Sequence, residues 1–106
     1  MRKIEQQMNK AITDGRHFWR SGNTTVQTIN GVAIVWLHGN KIAEIGEGWI
    51  KLMDGGWQSN TTKSRLNAIL EEHGLPGERV FQKNFEWRVS MSDGSSIPFF
   101  STMRLA

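Results

Sequence analysis

The segment from Gly55 to Arg65 carries the densest set of groups that could hold a ligand. It reads Gly-Gly-Trp-Gln-Ser-Asn-Thr-Thr-Lys-Ser-Arg, a glycine-containing turn followed by hydroxyl, amide and basic side chains at a predicted helix start. Backbone N–H groups at a helix N-terminus, together with Lys63 and Arg65, would attract phosphate or carboxylate. An ordinary capped helix has the same composition, and no nucleotide-binding glycine fingerprint is present. Both interpretations remain open at this point.

The five tryptophans form a second notable feature. Indole rings are frequent hot spots of protein interfaces and also stack on single-stranded bases. Trp36 and Trp87 lie on apolar strand faces and are expected in the core, whereas Trp19 and Trp57 have polar or flexible neighbours and are expected to be exposed. Together with nearby cations they define a candidate binding surface, here called the predicted patch: Arg16, Trp19, Arg20, Trp57, Lys63 and Arg65. Scattered surface residues would look the same in the sequence.

The remaining chemistry-bearing residues do not suggest an enzyme. The chain has no cysteine, which excludes thiol nucleophiles and cysteine-ligated metals. His17, His38 and His73 form no HExxH pair, and His73 is expected in a last helical turn, where its charged form complements the dipole. No serine lies in a nucleophile elbow. We therefore expect no catalytic residue, no metal and no cofactor.

Composition favours one globular domain. The 106 residues are 38% hydrophobic and 22% charged, so a single domain spanning 1–106 is the simplest solution. The formal charge of +3 is interleaved along the chain, which suits either solubility or contact with nucleic acid. Neither a secretory signal nor a membrane-spanning apolar run is visible, so we expect a cytoplasmic protein.

Two amphipathic helices are predicted. Ile4, Met8, Ala11 and Ile12 have helical spacing within residues 2–14. A second helix begins near an N-cap at residue 60, 61 or 62, buries an apolar stripe and stops at Gly74.

The rest of the chain has the texture of β-hairpins. Residues 24–29 and 32–38 flank Asn30-Gly31, a strong signal for a tight turn, and the second of these strands is apolar on both faces. Further strands are expected at 41–45 and 49–53, then from Phe85 through Trp87 and Val89, and from Ile97 to Leu105. Turns are expected at Gly39-Asn40 and 92–94. Pro98 favours a sheet edge, which leaves a homodimer possible.

These elements predict an α+β fold. Short turns between consecutive strands indicate a mainly antiparallel sheet of five to seven strands, with two helices packed on one face. The predicted order is helix, four strands, helix, then two or three strands.

Four short runs carry a family resemblance. They are residues 22–26 (GNTTV), 37–43 (LHGNKIA), 56–57 (GW) and 61–67 (TTKSRLN). Over residues 22–70 the chain resembles small uncharacterised proteins encoded by bacteriophages and prophages. The resemblance implies a phage origin, and small phage proteins often bind and disable a host protein.

The sequence thus predicts an interaction protein with a macromolecular partner. The first hypothesis is a host protein, of defence, replication or transcription, that is inhibited through the predicted patch. The alternative is a nucleic-acid-binding module that uses the same basic and aromatic groups.

Overall fold

Two helices and nine strands build the molecule in a computed structural model that describes residues 1–105. The helices are α1 (Lys3–Thr13) and α2 (Asn60–His73). The strands are β1 (Phe18–Ser21), β2 (Thr24–Ile29), β3 (Val32–Leu37), β4 (Asn40–Gly46), β5 (Trp49–Leu52), β6 (Arg79–Lys83), β7 (Glu86–Ser90), β8 (Ser96–Pro98) and β9 (Met103–Leu105). In the described residues, neither helix is long and apolar enough to cross a bilayer.

The strands form two antiparallel sheets. The larger has six strands in the order β1-β2-β3-β4-β5-β9, and the smaller has the order β6-β7-β8. The α+β class and antiparallel pairing are confirmed, and the larger sheet has the predicted size. The smaller sheet is an addition, since its strand β6 was not expected, and neither was the edge strand β1.

Tight turns set the meander from β2 to β4. Asn30 and Gly31 have positive φ angles of 51° and 79°, the geometry of a type I′ turn. The next turn is centred on His38 and Gly39, with φ of 52° and 76°, so the predicted turn lay one residue too late. Both turns need two consecutive left-handed residues, which keeps β2, β3 and β4 in adjacent positions.

Both helices pack on the same face of the six-stranded sheet. Val26, Val35 and Leu37 point from β2 and β3 into a continuous core. Helix α1 contributes Met8 and Ile12. From α2 the core receives the predicted stripe, Leu66, Ile69 and Leu70.

Arg65 lies in this core, which corrects its place in the predicted patch. The residue is 3% exposed, and its Nη1 donates a hydrogen bond to Glu5 Oε2 at 2.8 Å. Nε donates to Thr24 Oγ1 at 3.1 Å, and Ser64 Oγ donates to the same Glu5 oxygen at 2.6 Å. Because Arg65 precedes Ile69 by four residues, it lies on the buried face of α2. The pair therefore joins α1, α2 and β2.

Glu5 is held in its ionised form by this network. Burial alone would raise the pKa of Glu5, but the hydrogen bonds from Ser64 and Arg65 outweigh burial and lower the pKa below its ordinary value. Its second oxygen accepts the backbone N–H of Arg2 at 3.2 Å, at the start of α1. The carboxylate thus has a partner from each helix.

The C-terminal part departs most from expectation. The side-chain amide of Asn67 in α2 donates to the Val80 carbonyl at 2.9 Å and accepts the Val80 N–H at 2.7 Å, which attaches β6 to the helix. Phe85 lies in a turn and not in the strand with Trp87. The predicted strand over 97–105 is split into β8 and β9, which belong to different sheets. Pro98 is on the edge strand β8, as predicted.

His73 lies in the last turn of α2, as predicted, but its charged form is not the favoured one. Burial lowers the pKa of His73 from its ordinary value of 6.5, although the nearby charge of Glu72 acts in the opposite direction. Among the described residues its Nε2 has no hydrogen-bond partner. The neutral imidazole is therefore the form that suits the fold.

Breaking the buried pair should destabilise the protein strongly. In Arg65→Ala the Glu5 carboxylate stays buried without its cation, so the free energy of unfolding should fall by about 3–5 kcal/mol. Urea denaturation at pH 7, followed by tryptophan fluorescence, measures this loss. Lys63→Ala on the same helix is the matched control, because Lys63 is half-buried outside the network. A loss in Arg65→Ala no larger than in the control would contradict the assigned role.

Stability should also depend on pH through His73. The unfolded chain takes up a proton near pH 6.5, while the folded chain does so only at lower pH. The free energy of unfolding should therefore decrease as pH falls from 7 to 5, and His73→Gln should flatten this decrease. Denaturation series of both proteins across this range provide the check, and parallel curves would rule out His73 as the source.

Candidate functional site

Three residues of the predicted patch come together. Arg16, Trp19 and Arg20 line a shallow pocket of about 350 Å³ between α1 and β1. Arg16 and Arg20 are exposed. Trp19 is only half-buried and packs against the core, because it pairs with the inward residue Val26. The expectation that Trp19 is an exposed ring was therefore wrong in part.

The other three residues lie elsewhere. Trp57 is 76% exposed, as predicted, and borders a cleft of about 420 Å³ that also contains Asp54 and Thr62. Lys63 lines a different depression, beside α1, and Arg65 is buried. The six residues do not form a single surface.

The start of α2 has its own cap. Ser59, one residue before the predicted positions, is the N-cap, and its Oγ accepts the backbone N–H of Thr62 at 3.1 Å. The hydroxyl oxygens of Ser59 and Thr62 also lie 2.9 Å apart. This arrangement is the one that the capped-helix interpretation requires.

A larger surface with aromatic and charged side chains lies on the other face of the six-stranded sheet, opposite the helices. We call it the open face. Strand alternation places six apolar side chains there: Phe18, Ile29, Val32, Ile34, Trp36 and Trp49. It also places five charged side chains there: Arg20, Lys41, Glu44, Lys51 and Arg104.

The open face corrects the expectation that Trp36 of β3 lies in the core. This strand is central, but it is covered on one face only, since Val32, Ile34 and Trp36 are half-buried where Ala33, Val35 and Leu37 are buried. Trp36 is thus a surface ring and not a core residue.

Register aligns the open-face side chains in rows. One row crosses all six strands through Phe18, Gln27, Ile34, Glu44, Lys51 and Arg104. With neighbouring strands about 4.8 Å apart, this row is about 24 Å long. A second row runs Arg20, Thr25, Trp36, Lys41. Trp36 therefore lies in the middle of the sheet with cations on both sides.

The open face carries the positive charge of the protein. Four of its side chains are basic, and its one acidic residue, Glu44, is 3.1 Å from Lys41 Nζ. The resulting +3 equals the formal net charge of the whole chain. The rest of the molecule is balanced overall, so a polyanion would be drawn to this face.

Trp49 is fixed on the open face from two sides. The Arg104 guanidinium carbon lies 4.7 Å from the centre of its ring, a cation–π contact. Gly46 is its direct partner on β4, and a β-carbon at position 46 would overlap the indole. The glycine therefore allows the ring to lie close against the sheet.

Flat rings and cations of this kind bind other molecules through stacking and charge. Among residues 1–105 there is no group of three or more side chains that could hold a metal ion.

Sequence reasoning missed the open face because Trp36 and Ile34 look like core residues in isolation. The signal was available in their neighbours, since Thr25, Gln27 and Lys41 alternate as polar residues on the adjoining strands.

Gly46→Ala should displace the Trp49 ring. The added methyl group should cost about 1–3 kcal/mol of stability, because the indole must move. The same substitution in a Trp49→Ala background should cost much less, since the overlap is gone. Urea denaturation of the four proteins completes this cycle, and equal costs in both backgrounds would contradict the contact.

Comparison with known proteins identifies the family. The model of the family described as Kyanoviridae Gp96 protein matches residues 1–106. No curated protein and no solved structure matches the chain. The predicted phage origin is confirmed, and the similarity extends from residues 22–70 to the whole sequence. The chain belongs to the Kyanoviridae Gp96 family of phage proteins.

Proposed function

We propose that this phage protein binds single-stranded nucleic acid on the open face of its six-stranded sheet. The observation that carries the proposal is the position of Trp36, a half-buried ring in the middle of an uncovered sheet, between Arg20 and Lys41 in the same row. Aromatic rings on such a surface stack on bases, and the flanking cations neutralise phosphates.

Charge favours a nucleic acid over a protein partner. Lysines are depleted at protein interfaces, whereas this face has Lys41 and Lys51 among its cations. Its apolar strip along β3 is bordered by Thr25 and Gln27 on β2, and by Lys41 and Glu44 on β4. A polyanion with stacking bases satisfies the rings and the charges together. An acidic groove on a host protein, which the phage protein would inhibit, is the alternative that the experiment must separate.

Individual side chains have distinct tasks in the proposed complex. Phe18 is 54% exposed at the β1 end of the long row and offers a second ring for stacking. Arg104 covers Trp49, so its guanidinium plane can itself receive a base at the β9 end. Arg20 and Lys51 are placed to contact phosphates. The single-stranded nucleic acid would thus run across the β-strands, from one edge of the sheet to the other.

Fluorescence anisotropy with labelled oligo(dT) and oligo(rU) tests the proposal. Trp36→Ala should weaken binding about 5- to 150-fold, the loss that corresponds to about 1–3 kcal/mol for one stacked base. Arg20→Ala with Lys51→Ala should reduce the slope of log affinity against log salt by about 1.4, at about 0.7 for each lost phosphate contact. The two oligonucleotides distinguish DNA from RNA.

Trp57→Ala is the matched control, because Trp57 is the more exposed indole but lies off the open face. Its affinity should equal that of the unmodified protein. Absence of binding at low salt would refute the proposal, as would equal losses in Trp36→Ala and Trp57→Ala. Polyglutamate that competes as well as the oligonucleotide would favour the acidic protein partner instead.

A further inference from the structure

The β6–β7 hairpin ends in an unusual turn. Its central residues, Asn84 and Phe85, have φ angles of 51° and 62°. Phe85 is 97% exposed, so its ring has almost no contact with the protein. A large apolar side chain thus extends into solvent from the tip of a two-stranded ribbon.

Phe85 is unfavourable for the turn that contains it. Left-handed backbone strains residues that have a β-carbon, and glycine is preferred at this position. The two other hairpin turns with this geometry have Gly31 and Gly39 at the equivalent place. The ring gains no packing in return for the strain. The Phe85 ring therefore does not stabilise the fold, and its role lies in contact with another molecule.

The hairpin also carries cations on its outer side. Val80, Trp87 and Val89 point inward and are buried. The alternate residues point outward, and the charged ones among them are Arg79, Lys83, Glu86 and Arg88. Arg88 is positioned by Ser96, whose backbone oxygen accepts its Nη2 hydrogen bond at 3.2 Å. With three basic groups and one acidic group, the outer side has a charge of +2.

We propose that this hairpin is a second contact site, for duplex nucleic acid, in which Phe85 inserts between base pairs. A two-stranded ribbon fits a DNA groove, and apolar side chains such as phenylalanine insert between base steps in proteins that bend DNA. Arg79 and Lys83 would contact the flanking phosphates. The site goes beyond the single-strand function, since the hairpin is attached to α2 and shares no residue with the open face.

The test uses a DNA duplex with 2-aminopurine at its centre, whose fluorescence increases when the base is unstacked. The unmodified protein should bind the duplex and raise this fluorescence. Phe85→Gly should abolish the increase while retaining a folded protein, because glycine suits the turn. Arg79→Ala with Lys83→Ala should reduce the salt slope of duplex binding by about 1.8, at about 0.9 for each lost phosphate contact.

Two controls separate this proposal from the single-strand function. Trp36→Ala should keep the 2-aminopurine signal, and Phe85→Gly should keep the affinity for oligo(dT). Absence of duplex binding at low salt would overturn the proposal. An unchanged 2-aminopurine signal in Phe85→Gly would do so as well. Binding of polyglutamate in place of the duplex, lost in Phe85→Gly, would assign the tip to an acidic protein partner instead.

Discussion

The buried ion pair between Arg65 and Glu5 holds both helices against one face of the six-stranded sheet. Arg65 also donates to Thr24, so the cation connects α2 with α1 and with the sheet itself. Two charges in a core are tolerated only when each is fully hydrogen-bonded, which makes this arrangement specific. Since both helices are committed to this side, the opposite face remains open to solvent. The rings and cations of that face are available because of the pair behind the sheet.

The polar motifs of the sequence serve this scaffold. Asn23 and Thr24 accept hydrogen bonds from Arg65, while Ser64 donates to Glu5. Asn67 fixes the second sheet. These residues lie within the runs that carried the resemblance to phage proteins. The runs therefore identify the fold, and the proposed site lies on side chains largely outside them.

Local signals predicted the elements well, because they depend on neighbouring residues. Asn30-Gly31 determines the β2–β3 hairpin through its own backbone preference, and the spacing of Met8 and Ile12 determines the buried side of α1. The direction of a strand face relative to the core depends on distant partners. Trp19 was expected to be exposed and Trp36 to be in the core, but both are half-buried on opposite faces of the sheet. Only the register across β1, β2 and β3 shows which face the helices cover. Arg65 appeared to be a surface cation because its partner lies 60 residues away.

In the proposed complex the open face, and not the start of α2, is the binding surface. Titration of the ¹⁵N-labelled protein with oligo(dT), followed by amide and indole chemical shifts, tests this claim most directly. We predict that the shifted signals cluster on β1, β3 and β5, with a large change at the Trp36 indole N–H. Shifts confined to residues 57–63, or none at all at low salt, would contradict binding at the open face.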